Sequence, residues 1–187
     1  MDKIFREDEE FESLKDLEKG DYENCIFVNC DFSNADLSDI NFLECVFQSC
    51  NMSLSKLIQT SFKDAIFRNC KLLGLHFEDC NKMMVSLAFE NCAVSLCSFN
   101  KMNLKKTSFR NCRIEEADFT ETDLGNSSFA ECDLMRTIFN HTNLEGADFR
   151  TSFNYSIDPE SNRIKKAKFS LQGLAGLLDK YDIVIEK

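Results

Sequence analysis

A large apolar residue returns at every fifth position through most of this chain. It stands at Phe27, Phe32, Leu37, Phe42, Phe47, Met52, Leu57, Phe62, Phe67, Leu72 and Phe77, then, after a shift of two, at Met84 and on through Phe89, Val94 and Phe99 to Phe149. A small residue precedes most of these centres by two places, as at Cys25, Cys30, Ala35, Cys45, Cys50, Ser55, Thr60, Ala65 and Cys70, with Ile40 the exception. An amphipathic helix repeats its apolar positions at three and four and a half-buried strand at two, so a period of five fits neither. A second period of twenty lies over the first. Cysteines fall at Cys30, Cys50, Cys70, Cys92, Cys112 and Cys132, and phenylalanines at Phe27, Phe47, Phe67, Phe89, Phe109, Phe129 and Phe149, with one step of twenty-two in each series.

Five residues per side and four sides per turn satisfy both periods. The chain is therefore expected to be an all-β solenoid, a quadrilateral β-helix in which each unit buries its apolar face only by stacking on its neighbours. The centre and the small residue two before it point inward, and the other three positions face water. One side carries the phenylalanine ladder. The next carries Phe32, Met52, Leu72, Val94, Ile114 and Leu134, with the cysteine column just ahead. A third carries Leu37, Leu57, Phe77, Phe99, Phe119 and Phe139, and the fourth Tyr22, Phe42, Phe62, Met84, Leu104, Leu124 and Leu144. The repeat runs over residues 22–156, with its phase slip at 78–83. Open ends of a stack invite polymerisation, so residues 1–21 are expected to cap one end and residues 157–187 the other. The second cap should hold a turn around Pro159, a last repeat at Phe169, a short helix beginning after Ser170, and a short strand from Ile183 to Ile185. Leu171, Leu174, Ala175 and Leu178 fall on one face of that helix. Together with Ile183 and Ile185 they are candidate contacts for a homodimer, or else fold back on the last coil.

A chain of 187 residues with 43% hydrophobic and 29% charged content is that of one folded domain. No apolar run approaches the ~20 residues that span a bilayer, and the acidic start MDKIFREDEEFESL is unlike a secretory signal, so no membrane association and a cytoplasmic location are expected. The ten cysteines then read as reduced thiols chosen for size. Pairs such as Cys25/Cys30 and Cys92/Cys97 are spaced C-x4-C, which is not the C-x2-C of a zinc site. With only His76 and His141 in the chain, no metal, no cofactor and no catalytic constellation is expected, and the protein reads as a non-enzyme.

Charge is the remaining functional signal. Residues 1–156 hold 27 acids and 16 bases, a net −11, whereas residues 157–187 hold 5 acids and 6 bases, a net +1. Direct nucleic-acid binding needs a basic footprint, which is missing. An acidic rod can instead enter a DNA-binding groove as a partial DNA mimic. Asp31, Asp36, Asp118, Asp123, Asp133 and Asp148, each just before a centre, are the candidate surface carboxylates. A basic stretch, Lys105, Lys106, Arg110 and Arg113, interrupts the acidity.

The units ADLSD, CDFSN, ADFTE, TDLGN and ADFRT resemble the pentapeptide repeat family, whose consensus is a small residue, Asp or Asn, Leu or Phe, and two variable positions. That resemblance implies a right-handed quadrilateral β-helix. Within the family, ENCIFVNCDFSNADLSDINF, KDAIFRNCKL and LLDKYDIVIEK are similar to segments of the Qnr-type quinolone-resistance proteins. The similarity implies a homodimer joined through its C-terminal helix and strand, binding to DNA gyrase or topoisomerase IV, and protection against fluoroquinolones. Many Qnr proteins carry two projecting loops, whereas the only insertion here is the two-residue slip. The alternative expectation is a generic protein-interaction scaffold.

Overall fold

The structure, a computed structural model, describes residues 4–83 and 85–186. Strands Ile4–Glu7, Gly20–Glu23, Asn41–Leu43 and Ser61–Lys63 form a four-stranded parallel sheet in that order. Strands Glu10–Glu12, Ile26–Val28, Val46–Gln48, Ala65–Arg68, Leu87–Glu90, Ser108–Arg110 and Ser128–Ala130 form a seven-stranded parallel one. Phe27 pairs with Phe47, Phe47 with Phe67, Phe67 with Phe89, and Phe89 with Phe109. Single parallel bridges close the other sides, such as Asp31 to Asn51 to Lys71 to Ala93, His76 to Ser98 to Asp118, and Asn103 to Asp123 to Asn143. Every side thus pairs with the coil above it, and the fold is a right-handed quadrilateral β-solenoid. We number the faces in chain order, with the phenylalanine ladder on face 1, then faces 2 (Phe32), 3 (Leu37) and 4 (Phe42).

The corners explain the five-residue side. Among the described residues, twenty-six other than glycine have φ between 48° and 62°, nearly all of them two places after a centre. One left-handed residue per unit turns the chain onto the next face, which leaves room for strands of only three or four residues. The corner N–H is satisfied by the coil above, as from Asn29 to the Gln48 carbonyl (2.9 Å) and from Asn34 to that of Ser53 (2.9 Å).

Inside, the face 1 rings stack nearly parallel, with centroids 4.8 Å apart for Phe89 and Phe109 and 4.9 Å for Phe109 and Phe129. Phe77, Phe99 and Phe119 make a second stack on face 3, and each ladder meets the other edge-on, as Phe109 does Phe119 at 83°. Stacked and edge-to-face geometries are the two that the ring quadrupole favours. The small position does more than save space. The Cys50 thiol donates to the Phe27 carbonyl (3.3 Å), Cys70 to Phe47 (3.3 Å), and the Thr122 hydroxyl to Phe99 (2.7 Å). Cys and Thr suit this position because a small donor there reaches the coil below, whereas Ser55 and Ser127 donate within their own coil, to Met52 (2.8 Å) and Leu124 (2.7 Å).

At the N-terminal end, expected as a cap over residues 1–21, strands Ile4–Glu7 and Glu10–Glu12 pair with the first coil, and Phe11 stacks on Phe27 at 5.2 Å. Phe11 precedes Phe27 by sixteen residues, so a period of twenty hides it. At the other end Phe169 stacks on Phe149 at 5.4 Å, which makes nine rings in the face 1 ladder. The phase slip, expected at 78–83, begins with the 3-10 turn Phe77–Asp79, where the Gln59 N–H reaches the Asp79 carbonyl one residue beyond the regular partner. Asn81 still bonds one regular coil back, to Thr60, and the new register begins where Ala65 pairs with Leu87. Met84, read as a face 4 centre, lies outside the described residues.

The expected C-terminal helix is instead two 3-10 segments, Gln172–Leu177 and Asp179–Tyr181. The backbone here lies against Tyr155. A Cβ on Gly173 would meet the Tyr155 hydroxyl at 1.9 Å, and one on Gly176 its carbonyl at 2.2 Å, so only glycine permits the approach. Two glycines in so short a stretch also disfavour a regular α-helix. Ile183–Ile185 forms no strand. No helix among the described residues is long and apolar enough to cross a membrane.

Candidate interaction surfaces

The six aspartates share a local role before any other. Each precedes a centre, and its carboxylate accepts the backbone N–H two residues on: Ser33 to Asp31 (3.2 Å), Ser38 to Asp36 (3.0 Å), Thr120 to Asp118 (2.8 Å), Gly125 to Asp123 (3.1 Å), Met135 to Asp133 (3.2 Å) and Arg150 to Asp148 (3.2 Å). This is the Asx turn that bends the chain toward its corner. Hydrogen bonds from Ser33 and Ser38 hold Asp31 and Asp36 below the usual carboxylate range. Burial by itself would raise Asp123, but the Gly125 N–H, Lys105 and Asn143 outweigh it and keep the group low.

The structure does not bring the six together. Asp31 and Asp133 lie on face 2, Asp36 and Asp118 on face 3, Asp123 on face 4 and Asp148 on face 1. Two are matched by cations, Asp123 by Lys105 at 3.1 Å and Asp148 by Arg150 at 2.7 Å. They therefore form no single anionic surface.

Sorting every charge by face gives a different answer. Face 3 presents Asp36, Asp39, Glu78, Asp79, Asp118 and Glu121 against Lys56 and Lys101, a net −4. Face 4 beyond the slip presents Lys105, Lys106, Arg163, Lys165 and Lys166 against Asp123 and Glu145, a net +3. Two adjoining faces thus carry opposite sign. Asp39 and Glu121 at left-handed corners, and Asp79 at the end of the 3-10 turn Phe77–Asp79, went unselected in the sequence because the family consensus leaves their position variable. Only assignment to a common face groups them.

At the C-terminal end the candidate contacts Leu171, Leu174, Ala175, Leu178, Ile183 and Ile185 are all exposed. Leu171 is 81% and Val184 88% accessible, whereas Leu177 alone packs on the core from this segment. A cleft of about 680 Å³ lined by Phe153, Tyr155, Gly173 and Ala175 opens beside the tail, whose Gly176 carbonyl accepts the Ile157 N–H at 2.9 Å. The tail closes the rod end incompletely and shows water a run of apolar side chains.

All ten cysteines are free and buried. Burial pushes the Cys45 and Cys97 thiols up to about 12, so neither is a nucleophile near neutrality. Among the described residues no group of three or more His, Cys, Asp and Glu is placed to hold a metal ion. His76 contacts Glu78 at 3.1 Å on the surface, and the nearby Cys80 thiol is buried.

The family model described as pentapeptide repeat region matches residues 21–88 and 82–157, most of the chain. The chain is a pentapeptide repeat protein. Two solved structures of trypsin-treated QnrB1 variants resemble it at 20% sequence identity, and QnrB1 is described as a plasmid-mediated fluoroquinolone resistance protein. One has a TM-score of 0.67 and covers 98% of each chain; the other has a TM-score of 0.65 and covers 99% of this pentapeptide repeat protein and 100% of that chain. At that identity the likeness is one of fold. No curated protein sequence matches.

Proposed function

We propose that this pentapeptide repeat protein works through its surface, as a homodimer joined by the C-terminal segment, and that face 3 docks in the DNA-binding groove of a type II topoisomerase. The acidic face carries the reading. Its four net charges over about 29 Å, six coils of ~4.8 Å, amount to one per ~7 Å, against one per ~1.7 Å for duplex DNA. The rod is therefore a partial mimic, with shape contributing more than charge. The fold it shares with QnrB1 supports the choice of partner, and the exposed apolar tail supports the dimer.

The test is a gyrase and topoisomerase IV supercoiling and cleavage assay, with and without a fluoroquinolone, across a salt series. Inhibition or relief of drug-stabilised cleavage that fades as salt rises is the expected result. Neutralising Asp39, Asp79 and Glu121 to Asn, Asn and Gln should abolish it while the fold persists, since uncharged polar residues fill the left-handed corner elsewhere, as Asn29, Gln59 and Asn69 do, and Asp79 is exposed at the end of the 3-10 turn Phe77–Asp79. No effect at micromolar protein, with the dimer intact, would leave the scaffold reading in its place.

A further inference from the structure

The corner position is filled by polar residues almost everywhere. Of the 26 described non-glycine residues with left-handed backbone, only Leu54 and Leu96 are apolar. Both lie on the corner between faces 2 and 3, with Gly74 between them in the intervening coil. Leucine is poorly suited to this conformation, which favours Asn, Asp and Gly. Nor does burial explain it, because Leu54 is 57% and Leu96 54% accessible. Leu73, 41% accessible, fills the coil between, and its carbonyl accepts the Leu54 N–H at 2.9 Å. The Leu54 side chain lies down over Gly74, where an added Cβ would stand 2.8 Å from its Cδ2. Neither local conformation nor the core accounts for three exposed leucines in consecutive coils.

We propose that this leucine ridge is a docking surface for an amphipathic helix of a partner protein whose apolar stripe is edged with carboxylates. Spacing supports a helix. The coils rise by about 4.8 Å, so Leu54 and Leu96 stand roughly 10 Å apart, and apolar residues at i, i+4 and i+7 of a helix span about 10.5 Å. Charge selects the flanks. Lys71 lies on the face 2 side of the ridge and Lys56 on the face 3 side, both exposed. A helix with glutamates beside its leucines meets a cation on each edge, whereas a lysine-edged helix meets like charge. The ridge is separate from the acidic corner residues Asp39, Asp79 and Glu121, so the inference does not rest on topoisomerase binding.

The probes are two stapled helical peptides of about fourteen residues, identical in their leucines at i, i+4, i+7 and i+11, one edged with Glu and one with Lys. Binding is read by methyl NMR shifts of Leu54, Leu73 and Leu96 and by fluorescence anisotropy at two salt concentrations. The expected result is shifts confined to the ridge with the Glu peptide, and at least tenfold weaker binding of the Lys peptide. Leu54→Asn with Leu96→Asn should cost the Glu peptide at least tenfold while leaving the melting temperature unchanged or raised, because Asn suits the corner better. Equal binding of both peptides, no shift at millimolar peptide, or ridge shifts that track protein concentration without peptide and so assign it to a second copy, would each overturn the proposal.

Discussion

Raising the pH from 7.5 to 9.5 should destabilise this protein by several kcal/mol through thiols that have no catalytic role. Cys45, Cys80 and Cys97 lie in the core outside the stacked column, with at most 3% of their surface exposed. Cys45 donates to the Tyr22 carbonyl at 3.3 Å and Cys97 to that of Leu72 at 2.6 Å. Burial raises all three, Cys45 and Cys97 to about 12, while the unfolded chain titrates near 8.5. A group whose folded pKa is raised contributes fully below the unfolded value, and its contribution is lost as pH climbs toward the folded one. At pH 9.5, one unit above the unfolded pKa, each thiol costs about 1.4 kcal/mol, so the three together cost about 4 kcal/mol. A domain's net stability is about 5–15 kcal/mol, so the shift is large. Urea unfolding under a phosphine reductant, followed by circular dichroism at both pH values, measures it. The triple variant Cys45→Ala, Cys80→Ala, Cys97→Ala should lose most of the pH slope although it is less stable at pH 7.5. Equal wild-type midpoints at pH 7.5 and 9.5 would refute the reasoning, since thiols that ionise alike in both states are not buried as described.

The other tests are of packing, acid titration and association. Phe109→Ala removes a fully buried ring stacked on both sides and should cost about 3–5 kcal/mol, against under about 0.5 for Arg110→Ala on the same strand; matching melting midpoints for the two would contradict the ladder. Asp31, Asp36, Asp123 and Asp148 are held low, so their stabilisation is complete above the unfolded value near 3.9 and disappears as pH falls below it; a melting temperature flat from pH 7 to 5 and dropping below about pH 4 is expected. Leu171→Glu with Ile185→Glu should turn the dimer into a monomer on sedimentation without moving the far-ultraviolet spectrum; a wild-type protein that sediments as a monomer at all concentrations would remove the dimer from the proposal.

A solenoid is unusually legible because each coil repeats the same environment, so any residue required by the core must recur at the coil period. Phe67 and Cys70 declare themselves by what stands twenty residues before them. The same logic shows where legibility ends. Phe11 is displaced by four residues from the period, so only the pairing of strand Glu10–Glu12 with Ile26–Val28 places it in the ladder. The tail carries no repeat at all, and a face of Leu171, Leu174, Ala175 and Leu178 looks α-helical until the approach of Gly173 and Gly176 to Tyr155 is known. The candidate aspartates were visible because the repeat demands them. For that reason they report the turn each one closes, and function must be sought at corner and flanking positions, which the repeat leaves unconstrained.

That freedom makes the faces separable. Backbone pairing and the buried ladders fix the coil, while an outward residue on one face touches its own column and little else. Asp79 and Leu96 belong to different corners, so substitutions at the acidic corner and at the leucine ridge share no partner. Effects of sites more than about 7–10 Å apart without common contacts add to within about 0.3–0.5 kcal/mol. A combined variant, Asp39→Asn, Asp79→Asn and Glu121→Gln with Leu54→Asn and Leu96→Asn, should therefore show a stability change equal to the sum of its two halves within that margin. Its losses should also stay separate: the acidic half removes salt-sensitive topoisomerase binding and the ridge half removes the Glu-edged peptide, each whether or not the other is present. A coupling energy above about 1 kcal/mol between the halves would mean that the coil transmits strain between corners, and that the surface acts as one unit instead of several.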